Sequence, residues 1–400
     1  MTREQITKDC LAAIDSSKCL LTLLSTGVGK TKITIDCINK ICDKVYGEEE
    51  DSTKVLIVVD KKVQINNWKA EFDKWGGVKT DNVTFCCYAS LHKFGGTHWD
   101  VVVLDECHHV GSETRLEALL SLHIEQNLLG LSATVPRDLR KWFKHHFQTK
   151  IVSCTTQDAI ESDILPDPVI YLMPLVLDSV HPTEEFELNA KDESMPVYAQ
   201  YKDIWVYKRN RKHALIKCTK RQYLNELDGL VEFFKRKAMG GNIVLKNMWL
   251  RACSDRLTYL ANAKNNEIKA ILSKLKNYRT ITFCASIAQS EEVGKNCIHS
   301  KNKSAQEVLN TFNDNKIKHI TACHMINEGI NLTNCKYGIF ANINASETIQ
   351  IQRVGRALRH KNPILVIPFF RDTREEEIVR KWMSNYNKEL IKVIYTPEEL

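Results

Sequence analysis

Asp105 and Glu106 stand side by side at the end of the apolar run Val101-Val102-Val103-Leu104. Two adjacent carboxylates at the tip of a buried strand can divide one task. The first holds a hard cation through water, and the second orients or deprotonates an attacking water. Cys107, His108 and His109 follow directly. Zinc would require ligands at helical intervals or in cysteine pairs with partners elsewhere. No partner cluster is evident in the sequence, so these three are not read as a metal site. His108 is read as a polar coupling group near the phosphates.

The carboxylates gain a partner in LLSTGVGKTKITIDCINKIC, residues 23–42. An apolar strand there runs into Ser25, Thr26, Gly27, Val28 and Gly29, and Lys30 and Thr31 open a helical pattern with Ile35, Ile38, Ile41 and Cys42 on one side. Glycines let backbone N–H groups close around phosphate oxygens, and a helix N-terminus favours the anion. Lys30 then reaches the β- and γ-phosphates of a nucleotide, and Thr31 holds Mg²⁺. The strict pattern has a glycine six positions before Lys30, where this chain has Leu24.

These groups need a scaffold. Apolar runs at 19–24, 54–60, 83–89, 100–106 and 128–134 alternate with helical patterns, and a second set follows at 280–286, 318–324, 337–343 and 364–370. Continuous runs of this kind suit strands buried on both faces of a parallel sheet flanked by helices, an α/β fold. Such a sheet presents Asp105 and the loop together at its C-terminal edge. The expected division is 1–163 and 164–400, with a basic, mainly helical insertion at about 195–276. A chain of 400 residues accommodates two domains.

The balance of 56 basic and 49 acidic residues, +7, permits an anionic partner. No apolar run approaches the length of a membrane span, and the N-terminus lacks the apolar core of a signal peptide. Fourteen cysteines are scattered through strand-like segments without a C-x-x-C pair, which suits buried thiols in a reducing, intracellular setting. Cytoplasm is the expected location, that of the host if the protein is viral.

With these residues in hand, the chain resembles superfamily 2 of the helicases and translocases. The series is TGVGKT, DECH, SAT (Ser132 to Thr134), TFCAS at 282–286, NEGINL at 327–332 and QRVGRALR at 352–359. The resemblance implies two RecA-like motor domains in tandem, ATP and Mg²⁺ as cofactors, and nucleic acid as partner. It implies that Gly329 and Asn331 face the nucleotide, that Arg3 and Gln5 read its base, and that Ser132 and Thr134 couple hydrolysis to movement. Gln352, Arg356 and Arg359 fall on one helical stripe, at i, i+4 and i+7. Both guanidiniums can there neutralise charge developing on the γ-phosphate. Two departures are Asn331, where the family often has aspartate, and Asp60, where it commonly has proline.

Strand contacts implied by the resemblance are Lys61, Ser90, Ser286 and Thr321. The insertion adds Lys208, Arg209, Arg211 and Lys212 among Tyr201, Trp205 and Tyr207. Cations for phosphates interleaved with rings for stacking compose a nucleic-acid surface. DECH and Gln352 are similar to the versions in DNA translocases, restriction motors and phage-type helicases, so DNA is favoured over RNA. An RNA helicase and an ATP-gated clamp or remodeller without unwinding remain the alternatives. A nucleotide kinase or GTPase needs no second α/β half ending in QRVGRALR. Action as a monomer or as a motor within a larger complex is expected.

Overall fold

A computed structural model describes residues 1–46, 53–77, 80–189, 213–323, 332–344, 346, 350, 353–355, 360–384 and 386–400. The chain forms two compact units. One is Met1–Pro168 together with later pieces that include 332–336, 353–355 and 360–363; the other holds the remaining described residues from Val169 onward.

In the first unit, α1 (Arg3–Asp15) precedes β1 (Cys19–Leu24), α2 (Lys30–Tyr46), β2 (Val55–Val59), α3 (Lys62–Trp75) and β3 (Val83–Cys87). Then come β4 (His98–Asp105), α4 (Glu113–Leu120), β5 (His123–Ser132), α5 (Arg137–His146), β6 (Thr149–Cys154) and α6 (Thr156–Glu161). The six strands form one parallel sheet in the order β3-β2-β4-β5-β1-β6. β1 (CLLTLL) and β2 (VLIVV) are buried throughout, as largely apolar runs dictate. The register Leu23 opposite Ser132 and Asp105 opposite Leu131 brings the ends of β1, β5 and β4 to one edge. That shared edge positions the site.

The second unit opens with β7 (Val169–Leu175) and a two-stranded antiparallel ribbon, β8 (Glu184–Asn189) with β9 (His213–Cys218). Three helices follow: α7 (Lys220–Ala238), α8 (Ile243–Asn262) and α9 (Asn265–Lys274). Next are β10 (Thr280–Phe283), α10 (Ile287–Val293), β11 (Cys297–Ile298), α11 (Ala305–Asn313) and β12 (His319–Ala322). β13 (Tyr337–Phe340), β14 (Ile364–Phe370), α12 (Arg374–Met383) and β15 (Ile391–Val393) complete it. Its seven strands are parallel in the order β11-β12-β10-β13-β14-β7-β15. Two parallel sheets with flanking helices are the α/β architecture expected from the runs.

The helices α7 to α9 are anchored by a fully buried ion pair, Lys264 Nζ to Glu375 Oε1 at 2.6 Å, with Lys264 also donating to Pro368 O at 3.1 Å. Burial pushes Lys264 down and Glu375 up, and their contact opposes both. All fourteen cysteines are free, twelve of them buried. Among the described residues no helix is long and apolar enough to cross a membrane.

Candidate functional site

The loop after β1 owes its shape to two glycines. Gly27 has φ +96° and Gly29 has φ +111°, the left-handed region that a side chain disfavours. Nothing lies within 4 Å of a Cβ built on Gly29, so its backbone conformation alone demands glycine. The loop is pinned at its start by Ser25 N donating to Cys154 O at 2.9 Å and by the Ser25 and Thr156 hydroxyls at 2.8 Å. α2 begins at Lys30. The Lys30 ammonium donates to Leu24 O at 3.1 Å, back across the loop. Arg3 donates to Gly27 O at 3.5 Å and Ile164 O at 3.1 Å.

Beside the loop, Asp105 ends β4. Its Oδ2 accepts the Trp68 indole N–H at 3.0 Å, and its carbonyl accepts the Tyr88 hydroxyl at 2.9 Å. Burial, then the Glu106 carboxylate, push its carboxyl up to about 6; the indole hydrogen bond and the Lys30 charge pull the other way. Glu106 has φ 48° and ψ 57°, left-handed and unusual for glutamate. That twist turns its carboxylate toward Ser132, whose hydroxyl lies 3.3 Å from Glu106 Oε2 and 2.6 Å from Thr134 O. Thr134 N donates back to Ser132 Oγ at 3.3 Å, and His108 Nδ1 lies 2.9 Å from the same oxygen. The hydroxyl proton thus has the Glu106 carboxylate and the Thr134 carbonyl as acceptors, and the His108 ring nitrogen as a third when that nitrogen carries no proton.

Thr31 and Asp105 offer hard oxygens suited to Mg²⁺, and a divalent cation would offset the burial and the like charge of Glu106 that hold the Asp105 carboxyl up. The residues present therefore fit Mg²⁺ and a nucleotide phosphate. Cys107 is fully buried in the core, and burial holds its thiol well above the ordinary value. Among the described residues no His, Cys, Asp and Glu group has metal-holding geometry.

Comparison with known proteins finds two family matches. Residues 2–137 match the family "Type III restriction enzyme, res subunit", and residues 263–361 match "Helicase conserved C-terminal domain". The chain belongs to superfamily 2 of the helicases and translocases. The DNA 3'-5' translocase XPB2 of Sulfurisphaera tokodaii is 20% identical over 359 residues, covering 85% of this chain and 74% of that protein. S. cerevisiae Dbp5 bound to RNA and ADP BeF3 shares the fold at TM-score 0.59 and 10% identity, covering 98% of this chain and 89% of that one. The Hef helicase domain of Pyrococcus furiosus shares it at TM-score 0.52 and 15% identity, covering 96% and 97%. The fold is therefore the tandem RecA-like one.

Within this superfamily 2 chain, the structure brings together Thr26, Gly27, Val28, Gly29, Lys30 and Thr31 at the loop, and Asp105, Glu106, His108, Ser132 and Thr134 at the neighbouring strand ends. The exposed Gln5 amide donates to Asp9 Oδ1 at 2.8 Å on its own helix, while Arg3 makes the loop contact. Thr321 differs from expectation: it is buried, its hydroxyl 3.0 Å from Ser290 O and 2.9 Å from Ser290 Oγ, so it faces the interior rather than a strand. Ser286 caps α10 by accepting from Gln289 N at 3.0 Å, and Ser90 donates to Cys87 O at 3.0 Å. Lys61 is exposed just before α3. Lys208, Arg209, Arg211, Lys212, Gly329, Asn331, Gln352, Arg356 and Arg359 lie outside the described residues.

Two residues of the site carried no signal in the sequence reading. Trp68 lies on α3 and is 3% exposed, a position that the apolar pattern of a helix alone accounts for. Gly355 sits inside QRVGRALR, yet only the structure shows its use: a Cβ there would fall 2.5 Å from Thr26 Cβ and 2.9 Å from Thr26 O. Its backbone therefore packs directly on the phosphate loop.

Proposed function

We propose that this chain is a nucleic-acid-dependent ATPase that moves along or separates DNA strands. The observation that carries the reading is Glu106, held left-handed within hydrogen-bonding distance of Ser132, which is itself bonded to Thr134 and His108. A general base linked to a hydrogen-bonded relay suits hydrolysis that responds to a second ligand.

In this reading the loop N–H groups and Lys30 bind the β- and γ-phosphates, and Thr31 with Asp105 would hold Mg²⁺. The cation supplies charge neutralisation on the phosphates. Glu106 accepts a proton from the attacking water, and Ser132 holds the carboxylate in place. Arg356 and Arg359 stabilise charge on the γ-phosphate in the transition state. Asn331 in place of aspartate leaves all of these groups intact.

Nucleic acid as the second ligand is supported by the far end of the α7–α8 pair. Lys235, Arg236, Lys237, Lys246 and Arg251 are exposed there, and no acidic residue occurs between Phe233 and Ser254. DNA is favoured by the XPB2 relative, a DNA translocase by its name, and by DECH with Gln352; the Dbp5 neighbour binds RNA. The test compares ATPase stimulation by single-stranded DNA, duplex, branched DNA and RNA of matched length. Preferential stimulation by a DNA species supports the reading. Stimulation by RNA alone replaces the substrate, and hydrolysis without strand release makes the protein a translocase or remodeller.

A further inference from the structure

We propose that Trp68 is a positioning residue: its indole N–H holds one oxygen of the Asp105 carboxylate and ties that carboxylate to helix α3, so that the start of α3 and the metal site move as one. The inference rests on the ATPase reading above and adds a residue that reading did not contain.

An indole N–H can only donate, and a buried one requires an acceptor. Trp68 is 3% exposed, and its acceptor is the carboxylate of Asp105 at 3.0 Å. A hydrogen bond to an ionised group is shorter and stronger than one to a neutral carbonyl. With Oδ2 held, Oδ1 is the oxygen that would serve the cation. The indole is in turn fixed by Phe72, one turn on, with ring centroids 6.0 Å apart.

α3 is built to transmit position. It begins at Lys62 immediately after Lys61, at the end of β2, and its first turn is closed by Lys61 N donating to Gln64 Oε1 at 2.7 Å. Gln64 is itself buried. Lys61 and Lys62 are exposed. From Lys61 to Trp68 the helix rises about 10 Å, a span over which it behaves as a rigid rod. One element thus carries two exposed cations suited to a strand's phosphates at one end and the Asp105 donor two turns further on. Trp68 supplies a mechanical link from bound strand to metal carboxylate that is separate from the Ser132 relay.

The experiment compares wild type, Trp68→Phe and Phe72→Leu. Trp68→Phe keeps a ring and removes the donor; Phe72→Leu disturbs the same packing and keeps the donor. Binding of a fluorescent ATP analogue is titrated with Mg²⁺, and ATPase rates are measured with and without single-stranded DNA. Removing a group that orients a metal ligand weakens metal affinity by about tenfold or more. The expectation is that Trp68→Phe raises the Mg²⁺ concentration for half-maximal analogue binding by about tenfold and lowers the fold-stimulation by DNA, with Phe72→Leu near wild type in both. Equal Mg²⁺ requirements in all three proteins, or equal losses in both variants, overturn the proposal. Failure of the wild type to hydrolyse ATP with any strand is a different result, and it sinks the ATPase reading instead.

Discussion

Replacing Asp105 by Asn is expected to stabilise the protein when no metal is present. Its carboxyl rises from 3.8 to about 6 in the fold, chiefly through burial and then through Glu106. At about 1.4 kcal/mol per unit, ionised Asp105 destabilises the metal-free fold by about 3 kcal/mol. Partial exposure at the sheet edge trims this to about 2 kcal/mol. Asn keeps the shape and still accepts the Trp68 hydrogen bond, so the charge is the main thing lost. Below the unfolded value of 3.8, both states carry the proton and the penalty is absent. Between 3.8 and about 6 the folded chain keeps a proton that the unfolded chain has lost, so stability falls as pH rises through that window. The assay is thermal unfolding in EDTA at pH 4 and pH 7.5. The variant should melt about 4–8 °C higher than wild type at neutral pH, in the transition of the first unit, and close to wild type at pH 4. Mg²⁺ with ATP should reverse the order, because only wild type gains from the cation. A variant that melts below wild type at neutral pH, or with the same offset at both pH values, refutes this account of the carboxylate.

Three further outcomes follow from the geometry. Ser132→Ala removes the hydroxyl between Glu106 and Thr134, and should lower fold-stimulation by nucleic acid more than the basal rate, measured by phosphate release. Gly355→Ala forces a Cβ within 2.9 Å of Thr26 O. It should weaken nucleotide binding, read by fluorescent-analogue titration, at a strain of about 1–3 kcal/mol. Glu375→Gln leaves Lys264 buried without its counter-charge and should destabilise the second unit by about 3–5 kcal/mol in urea unfolding, whereas Lys264→Met with Glu375→Leu should fall near wild type.

The strand ends of the site were legible because buried parallel strands write themselves as unbroken apolar runs, as in Val101–Leu104. The glycine loop was legible because only glycine tolerates the φ values of Gly27 and Gly29. Glu106's left-handed turn left no trace, since glutamate rarely adopts it and a tertiary contact with Ser132 holds it there. Trp68 was invisible for another reason: its apolar body obeys the helix pattern, and the pattern says nothing of where an N–H points. Gln5 and Thr321 were assigned by position in a motif series, and their actual partners, Asp9 and Ser290, are decided by local geometry. β6 and β15 are only partly buried, so neither made an apolar run long enough to read.

The most direct test of the central claim is Glu106→Gln, assayed with saturating single-stranded DNA for both Mg²⁺-ATP binding and phosphate release. If Glu106 is the base, the variant binds Mg²⁺-ATP as wild type does and loses DNA-stimulated release by at least about a hundredfold. Stimulated release that persists at the wild-type rate would contradict the assignment of this site as the one that hydrolyses ATP.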